Sequence, residues 1–178
     1  MFISGSAIIV DVNIELNSVI KNISFQENEE FYSLTLSKEN PSMGTIHWTK
    51  SFKYGTMNIL HFLITNNKVI LFTSAIQNFI YLQKILDRLS SASCTVSILR
   101  LPLPVPKDKD LSLIQEITSY EIDDIFGIDS LIKIENNSIL LKIFTNGLIS
   151  YTMTKTEYEV TKIIEITIKI LEVFNAEN

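Results

Sequence analysis

Phe144-Thr145-Asn146-Gly147-Leu148-Ile149-Ser150-Tyr151 is the stretch on which the reading of this chain turns. Ile139 to Phe144 and Leu148 to Thr152 read as strands joined by Thr145-Asn146-Gly147. Asn-Gly is the strongest short hairpin signal, because both residues tolerate the left-handed backbone that a tight turn needs. The hairpin is followed by Thr152-Met153-Thr154-Lys155-Thr156-Glu157 and then by a long segment, Thr156 to Phe174. In that segment Val160, Ile163, Ile164, Leu171 and Phe174 suit one helix face, whereas Ile166, Ile168 and Ile170 alternate as in a strand. Length favours the helix, since strands rarely exceed about ten residues.

The same order occurs earlier in the chain. Asn58 to Thr65 and Lys68 to Thr73 read as strands around the Asn66-Asn67 turn. A helix follows in which Phe79, Leu82, Leu86 and Leu89 recur at helical spacing. The hairpins Ile64-Thr65-Asn66-Asn67 and Phe144-Thr145-Asn146-Gly147 lie 80 residues apart, and the same offset carries the first long helix onto the last. We read an internal duplication, residues 1–92 and 93–178, intertwined as one α+β domain.

The other segments fit around this frame. Ala7 to Ile14 reads as a strand and Leu16 to Ile23 as a short helix. Gln26 to Glu30 is polar and reads as a loop, Phe31 to Leu36 as a strand, and Asn40-Pro41-Ser42-Met43-Gly44 as a turn before a strand at Thr45 to Thr49. Cys94 to Leu101 reads as a strand stopped by Pro102, Pro104 and Pro106. Lys107 to Asp110 is a charged loop, Leu111 to Tyr120 a short amphipathic segment, and Leu131 to Ile134 a strand.

Composition narrows the function. With 46% hydrophobic residues and 20% charged residues, a packed core is expected and disorder is not. No apolar run is long enough to span a membrane, and Met1-Phe2-Ile3-Ser4 lacks the basic start of a signal peptide. Cys94 has no second cysteine to pair with, which suits a reducing compartment. His47 and His61 have no Cys or carboxylate at ligand spacing, so no metal is expected. Nucleophile-elbow, Walker and dinucleotide glycine patterns do not occur, so neither catalysis nor a cofactor is expected. The net charge of −5 gives no support to nucleic-acid binding, whose affinity comes largely from neutralising phosphates.

Several residues resemble the TATA-box-binding protein (TBP) family. Phe144-Thr145-Asn146-Gly147 with Thr152 to Glu157 and the long helix is similar to the motif that precedes the long helix of each family repeat. Ser119-Tyr120-Glu121-Ile122-Asp123-Asp124-Ile125-Phe126-Gly127 resembles the family's stirrup segment, and Val12-Asn13 and Asn40-Pro41 resemble first-repeat positions. The resemblance implies a saddle: two quasi-repeats sharing one curved antiparallel sheet, with long helices on the convex face. It implies a concave face in the DNA minor groove and Phe wedges that kink the duplex. Phe126 and Phe144 match the second-repeat wedges, Ile64 stands at one first-repeat wedge, and Met43, Gly44 or Phe31 at the other. Asn13 matches a central base-reading Asn whose partner falls near Ser97 or Ile98. Lys68, Lys133 and Lys142, with Lys50 and Lys53, are the available cations. Asp123 and Asp124, with Ile125, match the stirrup offered to a IIB-like factor.

Each residue has a plainer role beside this one. Phe144 also suits hairpin packing, Phe126 a loop anchor, and Asp123-Asp124 a solvated turn. Two functions follow from the resemblance. One is an initiation factor that binds and bends AT-rich promoter DNA and recruits a IIB-like factor and RNA polymerase. It would work in a nucleus, or in a host nucleus or cytoplasmic viral factory if virus-encoded. The other is an assembly module of a transcription complex with weak or no DNA binding, which the acidic balance favours. An unrelated α+β binding domain is the third reading.

Overall fold

The computed structural model describes residues 5–90, 93–154 and 156–176. The expected repeat boundary at 92, the opening Met1 to Ser4, and Lys155 of the motif lie outside the described residues. Antiparallel strands dominate, with few helices. In chain order these are β1 (Ser6–Val12), α1 (Leu16–Val19), β2 (Ile23–Glu27), β3 (Glu30–Leu36), β4 (Met43–Thr49), β5 (Asn58–Thr65) and β6 (Lys68–Phe72). Then come α2 (Phe79–Leu89), β7 (Val96–Ile98), β8 (Ile117–Asp123), β9 (Gly127–Ile134), β10 (Asn137–Phe144), β11 (Leu148–Tyr151) and α3 (Glu157–Asn175).

Ile8–Ile98 is one compact unit. Its strands run in the order β2-β3-β4-β5-β6-β1, with β7 pairing β1 as well. Alternation along each strand sorts side chains onto two faces. One face carries Tyr32, Leu34, Ile46, Leu60, Phe62, Val69, Leu71, Ile8 and Val10, all buried. Cross-strand pairing puts them on the same side: Tyr32 opposite Trp48, Leu34 opposite Ile46, Ile46 opposite Leu60, and Phe62 opposite Leu71. α2 adds Leu82, Ile85 and Leu86 to this core, and its Tyr81 stacks on Trp48 with ring centroids 4.2 Å apart. The opposite face of β3, β4 and β5 is half-open and carries Ser33, Thr45, His47, His61 and Leu63.

The second compact unit is built from the described residues between 99 and 176, with residues 5–7. Its strands run β11-β10-β9-β8, and the Tyr151 amide on β11 donates to the Gly5 carbonyl. Ile128, Ile132, Ile139, Leu141, Ile143 and Ile149 are buried on one face. α3 buries Val160, Ile163, Ile164, Ile170, Leu171 and Phe174 in the same unit. A capping box fixes its start: the Thr156 hydroxyl accepts the Glu159 amide at 3.2 Å, and the Glu159 carboxylate accepts the Thr156 amide at 3.3 Å. The ambiguous last segment is therefore helix. Its apparent strand alternation arises because Ile166 and Ile170 join the buried stripe one turn apart.

Each unit contains four consecutive antiparallel strands followed by a helix, β3 to β6 then α2, and β8 to β11 then α3. β5 and β10 have nearly the same alternation of buried and open positions.

Several segments depart from the sequence reading, and the expected strand Cys94 to Leu101 is reduced to Val96–Ile98 before the proline-rich stretch. Gln26 to Glu30 is not a loop but the hairpin between β2 and β3, turned at Asn28 with φ 55° and Glu29. β2 is an edge strand wet on one side, so polar residues do not disqualify it. It leaves only Leu16–Val19 to the expected short helix. Leu111 to Tyr120 is not one amphipathic element either: turns end near Gln115, and β8 begins at Ile117. β8 is also an edge strand, with four consecutive exposed residues, so apolar periodicity is weak there.

Candidate interaction surface

The stirrup-like segment is a tight turn between β8 and β9. Asp123 Oδ1 accepts the backbone N–H of Ile125 and of Phe126, both at 2.8 Å. These two N–H donors, that of Phe126 foremost, hold the Asp123 carboxyl below the usual carboxylate range. Ile125 and Phe126 are thereby held outward, 63% and 71% exposed. The next hairpin clamps the turn from the other side. The Thr145 hydroxyl donates to the Ile125 carbonyl at 2.9 Å, and the Thr145 amide to the Phe126 carbonyl at 3.3 Å. Gly127 closes the turn at φ +125°, paired with Phe144.

The open face of the second unit follows from register. Opposite residues share a face, so Glu121, Asp129, Lys142 and Ser150 form one row across β8, β9, β10 and β11. Asp123, Gly127 and Phe144 form the row on one side of it, and Ser119, Leu131 and Leu140 the row on the other. Leu131 and Leu140 pair directly and are 38% and 44% exposed, large for apolar residues on a sheet. Glu121, Asp123, Phe126, Gly127, Asp129, Lys142 and Phe144 line a single depression. It holds three carboxylates and one ammonium, and the Lys142 ammonium is ion-paired to Asp129.

The structure thus brings Phe126, Phe144, Lys142 and Asp123 together. Phe144 is half-buried on the open face. Asp124 reaches Lys107 at 3.3 Å. Lys133 is exposed near the far end of β9.

The residues expected in the first unit lie differently. Ile64 is only 9% exposed and points with Leu60 and Phe62 into the core, so it is not placed as a wedge. The reason is register. The β5–β6 turn has two residues, Asn66 and Asn67, between paired Thr65 and Lys68. The β10–β11 turn carries one residue more, so Ile143, not Phe144, occupies the place of Ile64. A slip of one residue exchanges the two faces. On the open face, Thr65 takes the place of Phe144, and Leu63, paired with Met43, takes the place of Lys142. Asn13 accepts the Thr95 amide at 2.7 Å through Oδ1, so its acceptor is used within the chain. Ser97 stands opposite Asp11, and Lys68 lies 3.6 Å from Asp11.

Glu121, Asp129, Leu131 and Leu140 escaped the sequence reading. The signal was present in the strict alternation of Gly127 to Ile134, where Asp129, Leu131 and Lys133 take the face opposite Ile128, Ile132 and Ile134. Elsewhere, Cys94 is buried, and burial pushes its thiol up. Burial lowers His61, and His47 lies 3.1 Å from the Thr45 hydroxyl. Among the described residues no group of three or more His, Cys, Asp or Glu could hold a metal ion, and no helix is long and apolar enough to cross a membrane.

No family model matches the chain, and no curated protein matches it. Among solved structures it is similar to Methanococcus jannaschii TBP, at 15% identity over 97% of this chain and 95% of that chain, with a TM-score of 0.28.

Proposed function

We propose that this chain is a TBP-like assembly module of a transcription-initiation complex, acting through protein contacts with weak or no DNA binding of its own. One observation carries the reading. Of the lysines that the resemblance offers to phosphates, Lys142 is ion-paired to Asp129 and Lys68 lies 3.6 Å from Asp11, while Glu121 and Asp123 share the depression with the phenyl rings. Duplex binding draws its affinity from cations that neutralise phosphates and release counterions, and this surface presents an excess of carboxylates instead. The motif resemblance around Phe126 and Phe144 and the recurrence of four strands and a helix support the link to the family. In this reading the two runs are diverged halves of a saddle with its long helices on the convex side. A IIB-like factor and RNA polymerase are the partners.

A second reading keeps promoter bending, and the 71% exposure of Phe126 beside half-buried Phe144 favours it. A mobility shift on AT-rich duplex across a salt series separates the two. The assembly reading expects no shift at about 0.15 M salt, where screening already acts over ~8 Å. It also expects RNA polymerase subunits or a IIB-like factor to copurify with the tagged chain from the source cells. A tight, salt-dependent shift whose bending is lost in Phe144→Ala would establish the second reading instead.

A further inference from the structure

From the open face of the second unit we infer the chemistry of the partner: a protein segment presenting a Lys or Arg side chain flanked on both sides by large apolar side chains. The inference rests on the assembly reading and names what its surface takes. Two apolar sites lie on either side of a charged row. Phe144 and Leu140 are four residues apart on β10, about 14 Å at the strand rise of ~3.4 Å per residue. Phe126 extends the first site and Leu131 pairs beside the second. Between them, Glu121 and Asp129 stand directly opposite each other on β8 and β9.

Like charges paired across a sheet repel, and Lys142 answers only one side of this pair, since its ammonium is ion-paired to Asp129. A cation arriving at Glu121 relieves the repulsion and meets a depression with three carboxylates against one ammonium. The apolar sites supply the burial, and the carboxylates exclude acidic partners. The same charges oppose a phosphate backbone, so a nucleic acid is the competing outcome rather than the expected one.

The test uses the full chain, isotope-labelled, with amide shifts followed by NMR. The probes are a peptide with the core Leu-Thr-Arg-Thr-Leu, its Leu-Thr-Glu-Thr-Leu counterpart, and an AT-rich duplex. The expected result is that the Arg peptide moves the amides of Glu121, Asp129, Leu140 and Lys142 while the Glu peptide does not. The doubly neutralised variant, Glu121→Gln with Asp129→Asn, should bind about tenfold more weakly, in keeping with two partly exposed charge pairs. Leu140→Ala should weaken binding while the free chain keeps its amide shifts away from Leu140 and its strand neighbours. Equal binding of both peptides, shifts confined to other residues, no shifts at all, or stronger perturbation of these amides by the duplex would each overturn the inference. If polymerase subunits copurify equally with the neutralised variant, the assembly reading stands and this surface assignment fails. If the Arg peptide binds here but nothing of the transcription machinery copurifies, the surface stands and the assembly reading fails.

Discussion

One oxygen of Asp123 serves the backbone N–H groups of both Ile125 and Phe126, each at 2.8 Å, so the presentation of an exposed phenyl ring depends on a carboxylate three residues before it. This arrangement is an Asx turn, in which a short side chain replaces a missing backbone acceptor. Removing the acceptor in Asp123→Ala should speed hydrogen exchange at Ile125 and Phe126 while leaving core amides unchanged. Asp123→Asn keeps a carbonyl and should retain most of the protection. The carboxyl is held below its ordinary value by these N–H donors, that of Phe126 first. The contribution is therefore present above the unfolded value of about 3.9 and lost as pH falls through the lower folded value. The Phe126 amide shift should titrate with a midpoint below that unfolded value; a midpoint at or above it would remove the carboxylate from its role.

Gly127→Ala tests the clamp that sets Phe126 beside Phe144. At φ +125° a side chain is strained, and an added Cβ would sit 2.0 Å from the Ile143 carbonyl oxygen and 3.1 Å from the Phe144 Cα. Both obstacles are backbone atoms of a paired strand and cannot swing away. A loss of about 2 kcal/mol or more is expected in urea unfolding. A loss below about 0.5 kcal/mol would mean that the turn relaxes into another conformation.

What the sequence disclosed, and what it withheld, follows from how far each feature depends on local rules. The Asn66-Asn67 and Asn146-Gly147 turns and the α2 stripe are local, and each fell where its residues indicated. Phe126 and Phe144 were identified through the family resemblance, and the fold places them in one depression. Ile64 was misplaced because equivalence across a repeat is a matter of register, and one extra turn residue reverses the face. The pairing of Glu121 with Asp129 was hidden for another reason. They lie on different strands, and their pairing is set by the register of the β8–β9 turn, with Asp123 opposite Gly127, which periodicity along either strand alone does not show.

The register of β5 sets neighbouring residues on opposite faces, so their truncations should differ in cost. Ile64 is buried among Leu60, Phe62 and Val69, whereas Leu63 is half-open opposite Met43. Ile64→Ala should cost about 2–4 kcal/mol through lost burial and the cavity left behind. Leu63→Ala should cost less than about 1 kcal/mol. Denaturant midpoints of the two variants check the assignment, and a reversed order would mean that the strand is paired one residue out of step.

A polar triad fastens α2 to its sheet. The Lys84 ammonium donates to the Glu30 carboxylate at 2.7 Å and to the Tyr32 hydroxyl at 2.6 Å, and that hydroxyl donates to the same carboxylate. Lys84 belongs to α2 and the other two to β3, so the triad ties helix to strand. Hydrogen bonds from Lys84 and then Tyr32 lower Glu30, and hydrogen bonds to Glu30 and then Tyr32 raise Lys84. Stability from Glu30 should be present above its unfolded value of about 4.3 and fade as pH falls through the lower folded value. Stability from Lys84 should be full below its unfolded value of about 10.4 and fade as pH rises through the higher folded value. Lys84 and Glu30 are partly exposed, so solvent screening limits Lys84→Met to a loss of about 1 kcal/mol near neutral pH. Tyr32→Phe should cost a similar ~1 kcal/mol, because the ring stays packed and only the hydroxyl is lost. The double variant should lose less than the sum of the two, since both changes remove the Lys84–Tyr32 bond. Full additivity in a double-mutant cycle would show that Lys84 and Tyr32 act separately and that no coupled triad fastens α2.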